Sequence, residues 1–243
     1  MNRSNYLTIF LIIIFTSFCW SQGLKTNGKK IVDKFGNEVL LRGMGPGGWL
    51  VMEGYMNQSA GIAGPQHVIK NKLIELMGEE KTETFFKEWR KNHFTKRDVD
   101  SLAAWGFNSI RLPMHYNLMT LPIEKEPVVG ENTWIEEGFT IIDNVLEWAK
   151  PHNMYVILDL HAAPGGQGYN ADISDYDSNK PSLWESEENQ KKTVALWRKI
   201  AERYKDNEWI GGYDLINETN WNLPGGTLIR QLFEQITAAI REV

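Results

Sequence analysis

Cysteine is almost missing from this chain. Cys19 is the single one in 243 residues, so no intramolecular disulfide can brace the fold, and stability must come from a buried core. Long apolar runs are missing too: the one at residues 7–18 stops after twelve, where a membrane-spanning helix needs roughly 20. No long basic run occurs, and 26 Lys and Arg stand against 31 Asp and Glu for a net charge of −5, which argues against a nucleic-acid partner. No internal repeat, low-complexity tract or linker divides the chain. Histidine is scarce, and His67, His93 and His152 show no metal-ligand spacing with any neighbour, so neither a catalytic metal nor a cofactor is expected.

What stands at the start is export machinery. Arg3, the apolar run and Cys19-Trp20-Ser21 follow the plan of a secretory signal peptide over residues 1–21, cut before Gln22. The expectation is a secreted or periplasmic protein with one domain over residues 22–243. Phe18 sits where a lipoprotein wants a small residue before its cysteine. Cleavage removes Arg3, Cys19 and one of the ten tryptophans, leaving a more acidic chain without cysteine. The flat apolar face of Trp suits both core packing and sugar rings, and packing accounts for most of those that remain.

From residue 24 onward the periodicities alternate. Residues 24–42 read as a hairpin, with Lys30-Ile31-Val32-Asp33, a turn at Gly36-Asn37, then Val39-Leu40-Leu41. Strands are expected at residues 40–44, 109–113, 155–161 and 210–218. A charged helical stretch, residues 79–93, lies in the excursion after the first. Helices follow each strand: one opened by Thr95 and Asp98 and closed by Gly106, and one opened by Thr133 and Glu136 and stopped by Pro151. A third carries Val194, Trp197, Ala201 and Tyr204, and the last Ile229, Leu232, Ile236 and Ile240. Strand then helix, four times, means a parallel sheet. The glycine-rich Gly43-Met44-Gly45-Pro46-Gly47-Gly48 carries Pro46 and runs into Trp49, which does not match a dinucleotide fingerprint. The α/β class favoured is therefore the (β/α)8 TIM barrel, of which the chain holds four β/α units after an N-terminal hairpin.

In such barrels the working groups sit at the carboxyl ends of strands. Here Arg111 closes the second strand, His161 the third and Asn217-Glu218 the fourth. His115 and Tyr116 follow the second strand, where structural and site roles are equally open. Trp221, just past Glu218, either stacks a sugar or packs. The stretch with Asp172, Asp175, Asp177 and Asn179 hints at calcium, yet Lys180 and Pro181 replace the glycine turn and the carbonyl ligand. It reads better as a wall of the cleft.

These segments resemble glycoside hydrolase family 5, the cellulase and β-glucanase family, in its branch with exo-β-1,3-glucanases. The resemblance is carried by Leu41-Arg42-Gly43, by Gly47-Gly48-Trp49-Leu50-Val51-Met52-Glu53, and by Trp105-Gly106-Phe107-Asn108-Ser109-Ile110-Arg111-Leu112-Pro113. It continues in Asp159-Leu160-His161-Ala162-Ala163-Pro164-Gly165 and Leu215-Ile216-Asn217-Glu218. It implies that Glu218 is the general acid/base and that Asn217 holds the sugar 2-hydroxyl. It implies further that Arg111 supports the nucleophile while His161 and Glu53 bind the sugar. Glu53 also reads as an ordinary loop glutamate, and His161 as a satisfied core histidine. A retaining glycosidase needs two carboxyl groups about 5 to 5.5 Å apart. Alternation along a strand would aim Asn217 and Glu218 to opposite sides, so a kink is required there.

Two departures stand out. Thr219 replaces the family's proline after Asn-Glu and makes Asn217-Glu218-Thr219 a glycosylation sequon. The family's nucleophilic glutamate near the seventh strand has no counterpart, since only Glu234 and Glu242 follow Glu218 as acidic residues, both in the last helix. The expectation is a fragment: a retaining β-glucan hydrolase without its nucleophile, inactive alone and open at two sheet edges. The alternatives are a secreted carbohydrate-binding pseudoenzyme and, less in keeping with export, a phosphosugar isomerase of barrel type.

Overall fold

A computed structural model describes residues 23–243, and the expected signal peptide over residues 1–21 lies outside them. Strands β1 (Lys25–Asn27) and β2 (Lys30–Val32) form an antiparallel hairpin across Gly28-Lys29, with Gly28 at φ +62°. Such a two-residue turn needs positive φ. The hairpin thus sits one turn earlier than expected. At the expected turn, the Asp33 carboxylate accepts from the backbone of Phe35 and Asn37, but only a single bridge, Val32 to Glu38, follows. Leu40 is 72 % exposed and gains nothing by pairing there. The first strand of the main sheet shrinks accordingly to β3 (Gly43–Met44).

Three helices follow: α1 (Gln66–Met77), α2 (Glu79–Asn92) and α3 (Lys96–Ala104). The sequence reading missed α1 because none of its residues is buried, so no apolar stripe marks it. At α3 the expected capping box forms, with the Thr95 N–H donating to the Asp98 carboxylate at 2.8 Å, and Gly106 ends the turn at φ +87°. Strand β4 (Ser109–His115) leads to α4 (Glu136–Ala149). The expected Thr133–Glu136 box does not form. Instead Ile135 caps α4, the Thr133 N–H donates to Glu126, and Glu136 pairs with Arg203. Then come β5 (Tyr155–Ala162), the single turn α5 (Ala171–Ser174), α6 (Glu187–Tyr204), β6 (Ile210–Asp214) and α7 (Thr227–Arg241).

Strands β3, β4, β5 and β6 are parallel and adjacent in chain order. A doubly wound sheet reverses its order at a switch point; this one does not, as a barrel wall requires. Alternate residues of the two central strands, Ile110, Leu112 and Met114 with Val156, Leu158 and Leu160, belong to one buried cluster with Phe139, Ile142, Trp197, Ile200, Leu232 and Ile236 of the helices. The intervening residues Arg111, Asp159 and His161 carry the polar groups. Among the described residues no helix is long and apolar enough to cross a membrane.

Candidate active site

Strand alternation puts Arg111, Asp159 and His161 on the sheet face opposite the helices, and they meet there. One carboxylate oxygen of Asp159 lies 3.1 Å from the Arg111 guanidinium and 2.8 Å from Nδ1 of His161. On its other side, His161 Nε2 lies 3.6 Å from Glu53. Glu53 is only 3 % exposed, so it is not an ordinary loop glutamate. Arg111 also donates to Asp214, at the end of β6, through Nε at 3.1 Å and Nη2 at 2.9 Å. Arg111, His161, Asn217 and Glu53, named from the sequence, are thus linked into one constellation. Asp159 and Asp214 were missed, although both close or approach strand ends as the named residues do.

The expected strand at residues 210–218 ends early, at Asp214. The chain still runs beside β5, because the Asn217 N–H donates to the Leu160 carbonyl at 3.1 Å. Arg111 Nη2 donates to Asn217 Oδ1 at 2.6 Å, which fixes the side-chain amide; its Nδ2 is buried and has no partner. The next residue supplies the kink. Glu218 stands at φ +39°, a left-handed conformation rare outside glycine, and its side chain turns outward to an exposed position. Asn217 therefore looks into the constellation while Glu218 stands at its rim.

Electrostatics bind this group together. Burial alone lowers His161, but the Asp159 and Glu53 carboxylates outweigh it and raise the imidazole to about 9. Burial holds Asp159 above the usual carboxylate range, against the opposing pull of His161 and Arg111. Tyr55, which the sequence reading did not single out, is pushed up to about 12 by burial of its hydroxyl, by Glu53 beside it, and by the charges of Glu218 and Asp172.

His115 falls outside this group. It is 2 % exposed, its Nε2 lies 2.9 Å from Asp175, and its Nδ1 accepts from the Asn117 N–H at 3.2 Å. Both ring nitrogens are occupied, so none is left for a sugar. The other Asp175 oxygen bonds His67, through the ring at 2.8 Å and the backbone N–H at 2.8 Å. Burial would raise Asp175, yet the two histidines hold it at about 2. This aspartate, once a calcium hint, ties the loop after β5 to α1 and β4, and the three side chains line a cavity of about 660 Å³. Among the described residues no three His, Cys, Asp or Glu are grouped to hold a metal ion. Trp221 stacks on Tyr169, ring centres 4.0 Å apart and 12° from parallel, with the edge of Tyr176 5.0 Å away. Tyr169 is 57 % exposed, so an aromatic surface stands open close to Glu218 in the chain.

Gln167 was missed as well, since nothing in composition marks one buried amide. It donates to the carbonyls of His161 and Asn217 and accepts from the Ala163 N–H.

Known proteins resemble this chain in family and fold. The family model described as Cellulase (glycosyl hydrolase family 5) matches residues 70–243. A beta-xylosidase from Phanerodontia chrysosporium is 38% identical over 220 residues, covering 90% of this chain and 44% of that protein. A probable glucan 1,3-beta-glucosidase A from Emericella nidulans is 30% identical over 207 residues, covering 83% of this chain and 48% of that one. The chain therefore spans less than half the length of these two relatives. Among solved structures, the rutinosidase from Aspergillus niger superposes with a TM-score of 0.66 at 17% identity, over 83% of this chain and 59% of that one, a likeness of fold. With four parallel β/α units in barrel order and a matching family model, this chain belongs to glycosyl hydrolase family 5.

Proposed function

We propose that these residues form the acid/base side of a retaining O-glycosyl hydrolase acting on β-glucan-type polysaccharides or oligosaccharides. One observation carries the reading. The amide of Asn217 is locked through its oxygen by Arg111, leaving a buried N–H donor with no partner, next to the outward-turned carboxyl of Glu218. A buried donor without a partner costs about 1–3 kcal/mol, and a sugar hydroxyl delivered beside the scissile bond would supply the missing acceptor.

In this scheme Glu218 protonates the glycosidic oxygen as the bond to the anomeric carbon lengthens. Asn217 Nδ2 donates to the 2-hydroxyl, a bond that tightens as positive charge develops on the ring. The protonated His161, held by Asp159, donates to a neighbouring hydroxyl, and Glu53 accepts from another. The attacking carboxylate belongs to a strand beyond these four units, close to Arg111, whose charge keeps it ionised. After the covalent step Glu218 acts as base on the incoming water. The aromatic surface of Tyr169 and Trp221 would meet the leaving-group side. The leader read over residues 1–21 would place this chemistry outside the cytoplasm, where polysaccharide is met.

The decisive experiment is hydrolysis by the complete enzyme of laminarin, carboxymethylcellulose and, given the beta-xylosidase relative, xylooligosaccharides. Glu218→Gln should abolish turnover of the polysaccharides while sparing the first step with activated aryl glycosides. Unchanged polysaccharide rates would remove Glu218 from the role.

A further inference from the structure

Gln167 is buried without exposed surface, and each polar atom of its side chain is engaged. Nε2 donates to the His161 carbonyl at 2.7 Å and to the Asn217 carbonyl at 2.9 Å, while Oε1 accepts from the Ala163 N–H at 3.1 Å. Its own carbonyl accepts from the Trp184 indole at 2.8 Å, so the backbone beneath the amide is pinned too. The residue can stand there only because glycines flank it. A Cβ on Gly166, at φ +80°, would lie 2.7 Å from the Tyr176 backbone. One on Gly168 would collide with the Asn220 side chain and come within 3.0 Å of the Glu218 carbonyl. The loop is threaded directly under the turn that carries Glu218.

The carbonyl that Gln167 grips belongs to the peptide joining Asn217 to Glu218, and the orientation of that peptide sets φ at Glu218. The opposite side of the same turn is held by the Asn217 N–H on Leu160 and by Arg111 on the Asn217 side chain. Left alone, a glutamate relaxes to negative φ, because in the left-handed region the Cβ of an L-residue crowds the following carbonyl oxygen. A strained conformation persists only where its surroundings over-determine it.

We infer that Gln167 is a positioning residue: its amide clamps the Asn217–Glu218 peptide and so keeps Glu218 in the left-handed conformation that aims its carboxyl at the rim of the site. The catalytic half of this inference rests on Glu218 being the acid/base, and the conformational half does not. A packing role alone would stabilise the loop without any coupling to residue 218.

The conformational half is tested by thermal unfolding of the complete enzyme. Glu218→Gly removes the strain at 218 in the parent. In the Gln167→Met background the peptide has already relaxed, so there is no strain left to remove. The change in Tm caused by Glu218→Gly should therefore be more favourable in the parent, by roughly 2–4 °C. Equal changes in both backgrounds would overturn the inference. If Gln167→Met does not fold, Gln167→Leu gives the same comparison, since it too removes the donating amide and leaves no group that can donate to the Asn217 carbonyl.

The catalytic half is read in the complete enzyme. Gln167→Met should lower kcat for glycosides with poor leaving groups by about a hundredfold and leave dinitrophenyl glycosides within a few-fold. An equal loss on both substrates would show structural damage instead and would sink this half. Failure of the Glu218→Gln leaving-group test, with Tm coupling intact, would fault the acid/base reading and leave the clamp standing.

Discussion

Arg111 and Asn217 meet through a 2.6 Å hydrogen bond between Nη2 and Oδ1, across 106 residues of chain. Because an amide has one oxygen and one NH2, engaging the oxygen decides which way the donor points. The guanidinium also reaches Asp159 and Asp214, so its plane is held on three sides. Arginine thus orients the residue next to Glu218 as well as charging the site.

Arg111→Lys keeps the charge and loses the fork. We expect the Asn217 amide to lose its fixed orientation, and kcat/KM of the complete enzyme to fall by roughly ten- to a hundredfold, the scale of a charged hydrogen bond. Steady-state kinetics on oligosaccharides check this; a change under threefold would contradict it.

His161 is raised above its unfolded value to about 9. Its contribution to stability is then fully present below the unfolded value near 6.5 and fades as pH climbs through about 9. The stability gap between the parent and His161→Gln should narrow over that window. NMR titration of the imidazole should find it protonated at neutral pH.

Asp175 works with the opposite sign. Held at about 2, it stabilises the fold above the unfolded carboxylate range and loses that contribution as pH falls through about 2. Its backbone is left-handed at φ +52°, which asparagine tolerates, so Asp175→Asn is a clean exchange of charge. It should cost about 1.5–3 kcal/mol, the scale of hydrogen bonds to a charged group, and denaturant titration at neutral pH measures it.

The sheet is bounded by β3 and β6, with Met44 and Leu40 exposed near one side. Open strand edges invite pairing. The 243-residue chain by itself should associate in sedimentation velocity and should not hydrolyse laminarin or carboxymethylcellulose. A monodisperse, active monomer would overturn the assignment of the nucleophile to a further strand.

Much of this architecture was readable from residue order. The apolar runs at 109–113 and 155–161 and the periodic stripe through Phe139, Ile142 and Leu146 became β4, β5 and α4 because their burial demands that pattern. Signals failed where burial did not enforce them. The surface helix α1 has no buried residue, and the Thr133 N–H went to Glu126 while Glu136 paired with Arg203. His115, which follows the expected second strand and read equally as structure or site, is bonded by Asp175, 60 residues away.

By itself the sequence determined the α/β class and which polar groups end the strands: strand, helix and strand-end residues are local patterns, written in periods of two and 3.6, and the resemblance to glycoside hydrolase family 5 rests on those same segments. Only the tertiary structure decided orientation. The left-handed turn at Glu218, the donor left unpaired on Asn217, and the amide of Gln167 beneath them depend on contacts of β4, β5 and the loop after β5 with the turn that follows β6. No local preference produces such contacts, because hydrogen bonds between distant segments have no signature in the order of residues.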